Sequence, residues 1–561
     1  MAPADRPHFR FWPRLLPRGI TLPQTSLVAN LEVSALRYPD KPAFIYGDRP
    51  LTYRTLKAQA DALAGWLHRH ADVQRGDRVL LYMQNCSQFA AAYYGILRAG
   101  AAVVPVNPMN RADELAHYLR DTDAKAVICG AELARLIEQA HAAVASSDAP
   151  VTAGPARLLV THYTDAADAA ALPEALAAPH PLPEGATRWT DALAQALAPP
   201  PEPPGPDDLA VMPYTSGTTG FPKGCMHTHR TVMHNVVGGA LWGQTSADTV
   251  SLVVLPMFHV TGMTSGLNGT IWAGATAVLQ PRWNRDEAAA LIARHQVTSW
   301  TNISTMAIDL LASPRLAEYD LSSLRHIGGG GAAMPEAVAQ RIHDLWGLSY
   351  VEGYGLSETI AQTHVNPMDR PKLQCLGIPY LGTDARVIDP DTHIEQPAGE
   401  AGEIIVHGPQ VFLGYWRNPD ATAAAFIEFD GRRFFRTGDL GRMDEEGYFF
   451  ITDRLKRMIN ASGLKVWPAE VETLLFKHPA VQEACVVGAR DPYRGETVKA
   501  FVVLREAMRG QVSAEDIVAW SREHMAAYKV PRLIEFVDAL PRSGTGKVMW
   551  RMLQERQNAQ P

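Results

Sequence analysis

Eleven residues, "YTSGTTGFPKG" at positions 214–224, combine three glycines, five hydroxyl-bearing side chains, one proline and one lysine. Glycines let a backbone approach a ligand closely, while amide N–H groups, hydroxyls and an ammonium face it, so the run suits a polyphosphate. It is not the G-x-x-x-x-G-K-[ST] phosphate loop. Lys223 is followed by Gly224, which leaves no hydroxyl after the lysine to hold magnesium. Kinase and GTPase mechanics therefore do not transfer. A second lysine in a glycine-rich loop, Lys547 of "PRSGTGKV" (541–548), lies near the end of the chain, where an ordinary surface lysine is the bland reading.

The first loop needs elements to hold it. An apolar strand at 209–214 precedes it and a helix beginning near Met226 follows, the strand, Gly-rich loop, helix order of a phosphate cradle. Upstream, the pattern predicts a helix at 56–68, a strand at 78–81, a helix at 88–98 and a buried strand in "AAVVPVNP" (101–108). Such alternation signals an α/β domain with a largely parallel sheet. Residues 142–208, rich in Ala and Pro, read mostly as a variable excursion and linker. Beyond about residue 377, "DARVIDP", "GEIIVHG" and "GYFFITD" predict short strands of a small β-rich subdomain. After Arg454, a helix at 469–477 and strands at 481–487 and 498–504 predict a separate α+β lid. No internal repeat is present.

Composition narrows the class. The chain of 561 residues is too long for one ordinary domain, and 47% hydrophobic with 20% charged residues fits a soluble globular enzyme. A formal charge of -7 provides no basic footprint, which argues against nucleic acid as a partner. Cys86, Cys129, Cys225, Cys375 and Cys485 lie far apart, which argues against a disulfide framework or zinc site and suits a reducing cytoplasm. The apolar stretch at 89–104 is interrupted by Arg98 and is too short to span a bilayer. At the N-terminus, Arg6, Arg10, Arg14 and Arg18 interleave with Phe9, Phe11, Trp12 and Leu15, a mix that could rest on an anionic membrane surface. Four prolines in the same stretch oppose an amphipathic helix, so a packed or frayed tail is expected.

The same chain also carries "LPMFHVTG" (255–262), "EGYGLSET" (352–359), "RTGDLG" (436–441) and "DRLKRMINASGLKVWPAEVE" (453–472). In this order and at these separations, the motifs resemble the ANL superfamily of adenylate-forming enzymes: acyl-CoA synthetases, nonribosomal peptide adenylation domains and luciferases. The likeness covers nearly the whole chain and is strongest to bacterial medium- and long-chain fatty acyl-CoA synthetases. It implies an α/β fold with a large N-terminal domain (1–455) of two α/β subdomains plus a β-barrel (378–452). A small mobile α+β C-terminal lid (456–561) would complete it. The implied activity joins a carboxylic acid to coenzyme A through an acyl-adenylate, with ATP, Mg2+ and coenzyme A taking part.

By the same resemblance, Thr215, Ser216, Gly217, Thr218, Thr219, Gly220 and Lys223 would hold the β- and γ-phosphates. Glu358, helped by the Thr218 hydroxyl, would direct magnesium. Tyr354 would offer its face to adenine, with Gly355 beside it and Gly331, Ala332 and Ala333 alongside the base. Asp439 would accept from the ribose hydroxyls, and Arg454 would be a second ribose and phosphate contact. Lys547 would bridge the substrate carboxylate and the α-phosphate. His259 would gate the acyl pocket and the coenzyme A tunnel, a core histidine being the bland alternative. Lys456 would be the hinge of the lid, and Gly463 would face the pantetheine arm. Partner expectations are a small-molecule carboxylic acid, no nucleic acid, at most peripheral membrane contact, and a homodimer as one oligomeric option.

Departures limit the likeness. Amino-acid adenylation domains carry an aspartate where His259 stands, which argues against an amino-acid substrate. Asn460 stands where many aryl-CoA ligases have lysine, and Lys465 where those relatives often have glutamine, which puts an aromatic acid in doubt. Aryl- or other acid–CoA ligation, luciferase activity and a non-catalytic nucleotide-binding protein stay open as alternatives.

Overall fold

Residues 78–82 read RVLLY and 126–130 read AVICG, apolar runs whose residues are almost all buried, as strands covered on both faces must be. In the computed structural model, which describes residues 6–146, 156–215, 222–454, 457–461, 464–491, 495–542 and 548–559, they are neighbours in a parallel sheet. That seven-stranded sheet runs His227–Thr228, Leu209–Val211, Ala102–Pro105, Arg78–Tyr82, Ala126–Gly130, Arg157–Thr161, Thr187–Arg188. A nine-stranded sheet runs Ile378–Pro379, Ala361–Val365, Tyr350–Leu356, His326–Gly330, Ser299–Asn302, Val250–Val253, Thr276–Leu279, Pro42–Tyr46, Arg49–Thr52. Its middle strands are parallel, from Tyr350–Leu356 to Pro42–Tyr46.

Helices cover these sheets with apolar stripes. Tyr53–His70 opens on Thr52, whose side chain accepts from the Thr55 N–H, and buries Leu56, Ala60, Leu63, Ala64 and Leu67 at helical spacing. Ser87–Arg98 packs against it, with Gly95 set beside Leu63. The helices and strands expected in this region are all present, within a few residues of their expected ends.

Two expectations are corrected. The segment 142–208 is not mainly linker: Arg157–Thr161 pairs in parallel with Ala126–Gly130, and Trp189–Ala194 is a helix with Trp189 buried. Its prolines fall at 150, 155, 173, 179, 181, 183 and beyond 198, none of them inside "RLLVT", which is left free to donate to a ladder. The loop at 214–224 does not lead straight into a helix. Tyr214–Thr215 and Lys223–Gly224 form an antiparallel pair, and the helix starts only at His229, after the strand His227–Thr228.

The N-terminal segment is packed. Pro7–Arg10 forms a single 3-10 turn with His8 buried, and Trp12 meets Trp242 edge-on at 5.3 Å. Arg370 lies 3.9 Å over the Phe11 ring, and the Gly382 N–H donates to the Arg18 carbonyl at 3.1 Å. Among the described residues, no helix is long and apolar enough to cross a membrane. All five cysteines are buried, and none is joined in a disulfide.

The chain divides into two compact units, Met1–Asp384 with Val406–Phe435, and Ala385–Ile405 with Arg436–Pro561. The β-rich stretch contributes strands Asp384–Ile388, Ala401–His407, Phe426–Phe429, Arg432–Met443 and Phe449–Arg454. In the second unit, an antiparallel sheet is built on Val481–Asp491 and Gly495–Leu504, with Ile459–Ala461 and Leu464–Val466 at one edge and Leu533–Phe536 in parallel beside Gly495–Leu504. Val471 and Leu475 of helix Pro468–Leu475 and Ile517 of Ala514–His524 join Val486, Val498, Ala500 and Val502 in its core.

Candidate active site

The parallel strands of the nine-stranded sheet deliver several site candidates to their C-terminal ends, where ligands of open α/β sheets bind. Gly331, Ala332 and Ala333 follow His326–Gly330 directly and are exposed. Tyr354 and Gly355 lie on the neighbouring Tyr350–Leu356, which runs parallel to His326–Gly330 with Gly330 opposite Gly353. The strand ahead of Gly331 is glycine-rich because its neighbours press on it: a Cβ on Gly329 would stand 1.8 Å from the Asn302 carbonyl oxygen. A Cβ on Gly355 would stand 1.7 Å from the Ala361 oxygen. Tyr354 is half-buried, with its ring 5.7 Å from His364.

Glu352, which opens the "EGYGLSET" motif, holds this corner. Its carboxylate accepts from the Met334 N–H at 2.9 Å and the Gln374 N–H at 2.7 Å, tying down the far end of the 331–334 loop. Burial raises its carboxyl, and the backbone donors oppose that shift. Sequence reasoning missed this role; the motif itself was the available signal.

Glu358 sits in the 3-10 turn Ser357–Thr359, half-buried. The turn is tethered from several sides. Asn235 donates to the Thr359 and Ile360 carbonyls at 2.9 and 3.1 Å, and Thr264 to Ile360 at 3.1 Å. His227 Nε2 lies 2.8 Å from the Ser357 carbonyl, an acceptor only, so that nitrogen carries the proton. Burial lowers this histidine to about 4, so the ring is neutral. The side chain of Glu358 accepts from the Tyr415 hydroxyl at 2.7 Å, and the Lys223 ammonium lies 4.2 Å from the Tyr415 ring centroid.

Thr215 and Lys223 face each other as the paired ends of the hairpin; Ser216, Gly217, Thr218, Thr219 and Gly220 lie outside the described residues. Helix Ala112–Thr122 braces both shoulders. Asp121 accepts from the Tyr214 hydroxyl, and His117 Nε2 bonds the Pro222 carbonyl at 3.0 Å.

His259 follows the strand Val250–Val253 in a turn and is half-buried, which is not the burial of a core histidine. Its Nδ1 accepts from the Thr261 N–H at 3.4 Å, and its carbonyl accepts from Met263 N–H at 2.9 Å. Asn85 clamps the segment before it, accepting from Met257 N–H at 2.8 Å and donating to the Leu255 carbonyl at 3.1 Å. Directly after comes a π-helix, Gly262–Gly269, a form concentrated at functional sites. Trp300, on the strand Ser299–Asn302, belongs to the core: it is fully buried and stacks on Trp283 at 5.8 Å. Along Ser299–Asn302 side chains alternate between faces, and Trp300 takes the side of Leu252, Val278 and Ile327.

In the second unit, Asp439 is fully buried on Arg432–Met443, opposite Arg454 in the antiparallel register with Phe449–Arg454. Arg436 of the same motif pairs with buried Glu403 at 2.6 Å, and Glu403 also accepts the Gly438 N–H at 3.2 Å. Asn460 and Lys465 stand opposite each other between Ile459–Ala461 and Leu464–Val466. Lys456, Gly463 and Lys547 lie outside the described residues.

No group of three or more His, Cys, Asp or Glu among the described residues could hold a metal ion alone. A single fixed carboxylate such as Glu358 fits magnesium, which keeps several waters and is completed by substrate phosphates. Lys223 and the braced hairpin fit the phosphates themselves.

Similarity agrees with this chemistry. The chain is 36% identical over 573 residues to the long-chain-fatty-acid–CoA ligase of Bacillus subtilis (strain 168), covering 99% of this chain and 98% of that one. It is 34% identical over 515 residues to the feruloyl-CoA synthase of an Amycolatopsis species, covering 91% and 95%. Among solved structures, ATP-bound MatB from Rhodopseudomonas palustris superposes with a TM-score of 0.82 at 30% identity, covering 96% of this chain and 99% of that one. The AMP-binding enzyme profile matches residues 31–416 and the AMP-binding enzyme C-terminal domain profile matches residues 470–547, so the chain belongs to the AMP-binding enzyme family.

Proposed function

We propose that the chain is an AMP-forming acid–CoA ligase whose substrate is a medium- or long-chain fatty acid. The ligase reading is supported by the relatives above, and most directly by the joined Lys223, Tyr415 and Glu358 beside the hairpin. The substrate reading is supported by the run after His259, "VTGMTSGLNGTIWAGATAVLQP" (260–281), which carries no charged residue to anchor a second polar group.

A carboxylate resists a thiol because it is resonance-stabilised and lacks a leaving group. In the first step Lys223 and the hairpin residues counter the β- and γ-phosphate charge, while Tyr354 and the 331–333 backbone flank the adenine. Asp439 accepts from the ribose, with Arg454 beside it in register. Lys547 bridges the acid and the α-phosphate as a carboxylate oxygen bonds to the α-phosphorus and pyrophosphate leaves, offsetting repulsion between two anions and the charge that builds at phosphorus. Glu358, with the Thr218 hydroxyl, directs magnesium, which when bound neutralises phosphate charge. In the second step the lid turns at Lys456, Gly463 lines the pantetheine path, and His259 gates the thiol to the acyl carbon. The thiol displaces AMP and the thioester forms. The lid of this reading begins at residue 456, and the protein works in the cytoplasm.

An apolar pocket separates chain lengths by only about 1–3 kcal/mol per methylene, so preference should be broad. ATP–pyrophosphate exchange and thioester formation with a panel of acids test this. Turnover of several medium and long fatty acids is expected. Turnover of ferulate, benzoates or dicarboxylates with no fatty acid accepted would overturn it.

A further inference from the structure

The turn that carries Glu358 and the strand that leaves the hairpin are joined by one short segment, "FLGYW" at 412–416. The Phe412 N–H donates to the Glu358 carbonyl at 2.9 Å. Leu413 N–H donates to Met226, Met226 N–H to Gly414, and Trp416 N–H to Gly224, all at 2.8–3.0 Å, with Tyr415 bridged to Cys225 between them. Gly414 permits the close approach: its φ is +152°, and a Cβ there would lie 2.5 Å from Thr422, whose hydroxyl accepts the Tyr415 N–H at 2.9 Å. The result is a buried tyrosine, 8% exposed, with a hydroxyl on Glu358 and a ring under Lys223.

Resting on the ligase reading above, we propose that Tyr415 is a positioning residue for activation. Its hydroxyl sets the Glu358 carboxylate for magnesium, and its ring holds the Lys223 ammonium for the phosphates, so both charges stand at a fixed spacing before nucleotide arrives. Each would otherwise be costly to order. A lysine ammonium rides on a flexible four-carbon stem, and the tethers from His227, Asn235 and Thr264 hold backbone carbonyls at 357, 359 and 360. The aromatic face attracts the cation electrostatically, and the phenol fixes one carboxylate oxygen as an outer partner orients a metal ligand.

Calorimetric binding of ATP, without acid or coenzyme A and with either Mg2+ or EDTA present, tests this apart from turnover. Tyr415→Phe keeps the ring and loses the hydroxyl. It should weaken the Mg2+-dependent part of binding by about 10–100-fold and leave binding in EDTA unchanged within about twofold. Tyr415→Leu should also weaken binding in EDTA by about 3–10-fold, and should add nothing in a Lys223→Met background. Glu358→Gln separates the two readings. If it abolishes the Mg2+ effect while Tyr415→Phe leaves it at the parent value, Tyr415 has no positioning role. If Glu358→Gln itself leaves the Mg2+ effect intact, the role given to Glu358 falls and this proposal falls with it. The double variant Glu358→Gln/Tyr415→Phe should match Glu358→Gln alone; independent, additive losses would mean that the tyrosine acts only through the fold.

Discussion

Asp439 and Arg454 stand directly across from each other on adjacent antiparallel strands, Arg432–Met443 and Phe449–Arg454. The two residues proposed above for the ribose are thus opposed in strand register, fifteen positions apart in the chain.

The "RTGDLG" motif therefore separates into parts with different tasks. Asp439→Asn keeps the shape and removes the charge, so ATP-dependent adenylate formation should fall about 10–100-fold, the scale of a hydrogen bond to a charged group. Its melting curve should stay near the parent's. Arg436→Ala should do the reverse, because it strands buried Glu403 and costs about 3–5 kcal/mol of stability. Similar melting loss in both variants would refute the division.

Lys547→Ala should slow acyl-adenylate formation by roughly 10²–10³-fold and barely affect the reaction of supplied acyl-adenylate with coenzyme A. Gly463→Leu should show the opposite pattern, and Lys456→Pro should hold the lid in one orientation because proline fixes φ. Measuring the two half-reactions separately decides: equal loss in both for Lys547→Ala would make that lysine structural.

Acid should destabilise the fold before it titrates most carboxylates. Burial lowers His8, His227, His229 and His234 to about 4 and His364 to about 3, so all stay neutral when folded. The unfolded chain binds protons from about 6.5 downward, so their contribution is full above that value and is lost as pH falls toward 4. By roughly pH 5.5 each costs about 1 kcal/mol. Buried Glu132 and Glu352, raised by desolvation, act in the opposite sense nearer their own range. His234, whose two ring nitrogens have no hydrogen-bond partner, isolates the effect. His234→Met should lose less Tm between pH 7 and 5.5 than the parent, and an equally steep loss would contradict the assignment.

The parallel strands were legible because burial on both faces writes them as unbroken apolar runs. "RLLVT" was hidden by the prolines around it, although none falls inside it. The hairpin was illegible for another reason: strands of two residues, Tyr214–Thr215 and Lys223–Gly224, are too short to carry any periodicity. Glu358 and Lys223 could be named from their motifs. Their support could not, since Tyr415 lies 57 residues from Glu358 and His227 lies 130 from Ser357. Such partners are chosen by sheet order and loop packing, which no local window contains.

The glycine strand before Gly331 bears on how this protein can be mapped by mutation. At Gly328, Gly329 and Gly330 a Cβ would come within 2.5 Å of a neighbouring strand's carbonyl oxygen. A saturation scan would therefore mark this strand as intolerant as any catalytic residue, through collision of main chains alone. Activity lost there measures the tightness of the sheet, so the role proposed for Gly331 to Ala333 is to be tested at those residues, past its end, and not along the strand.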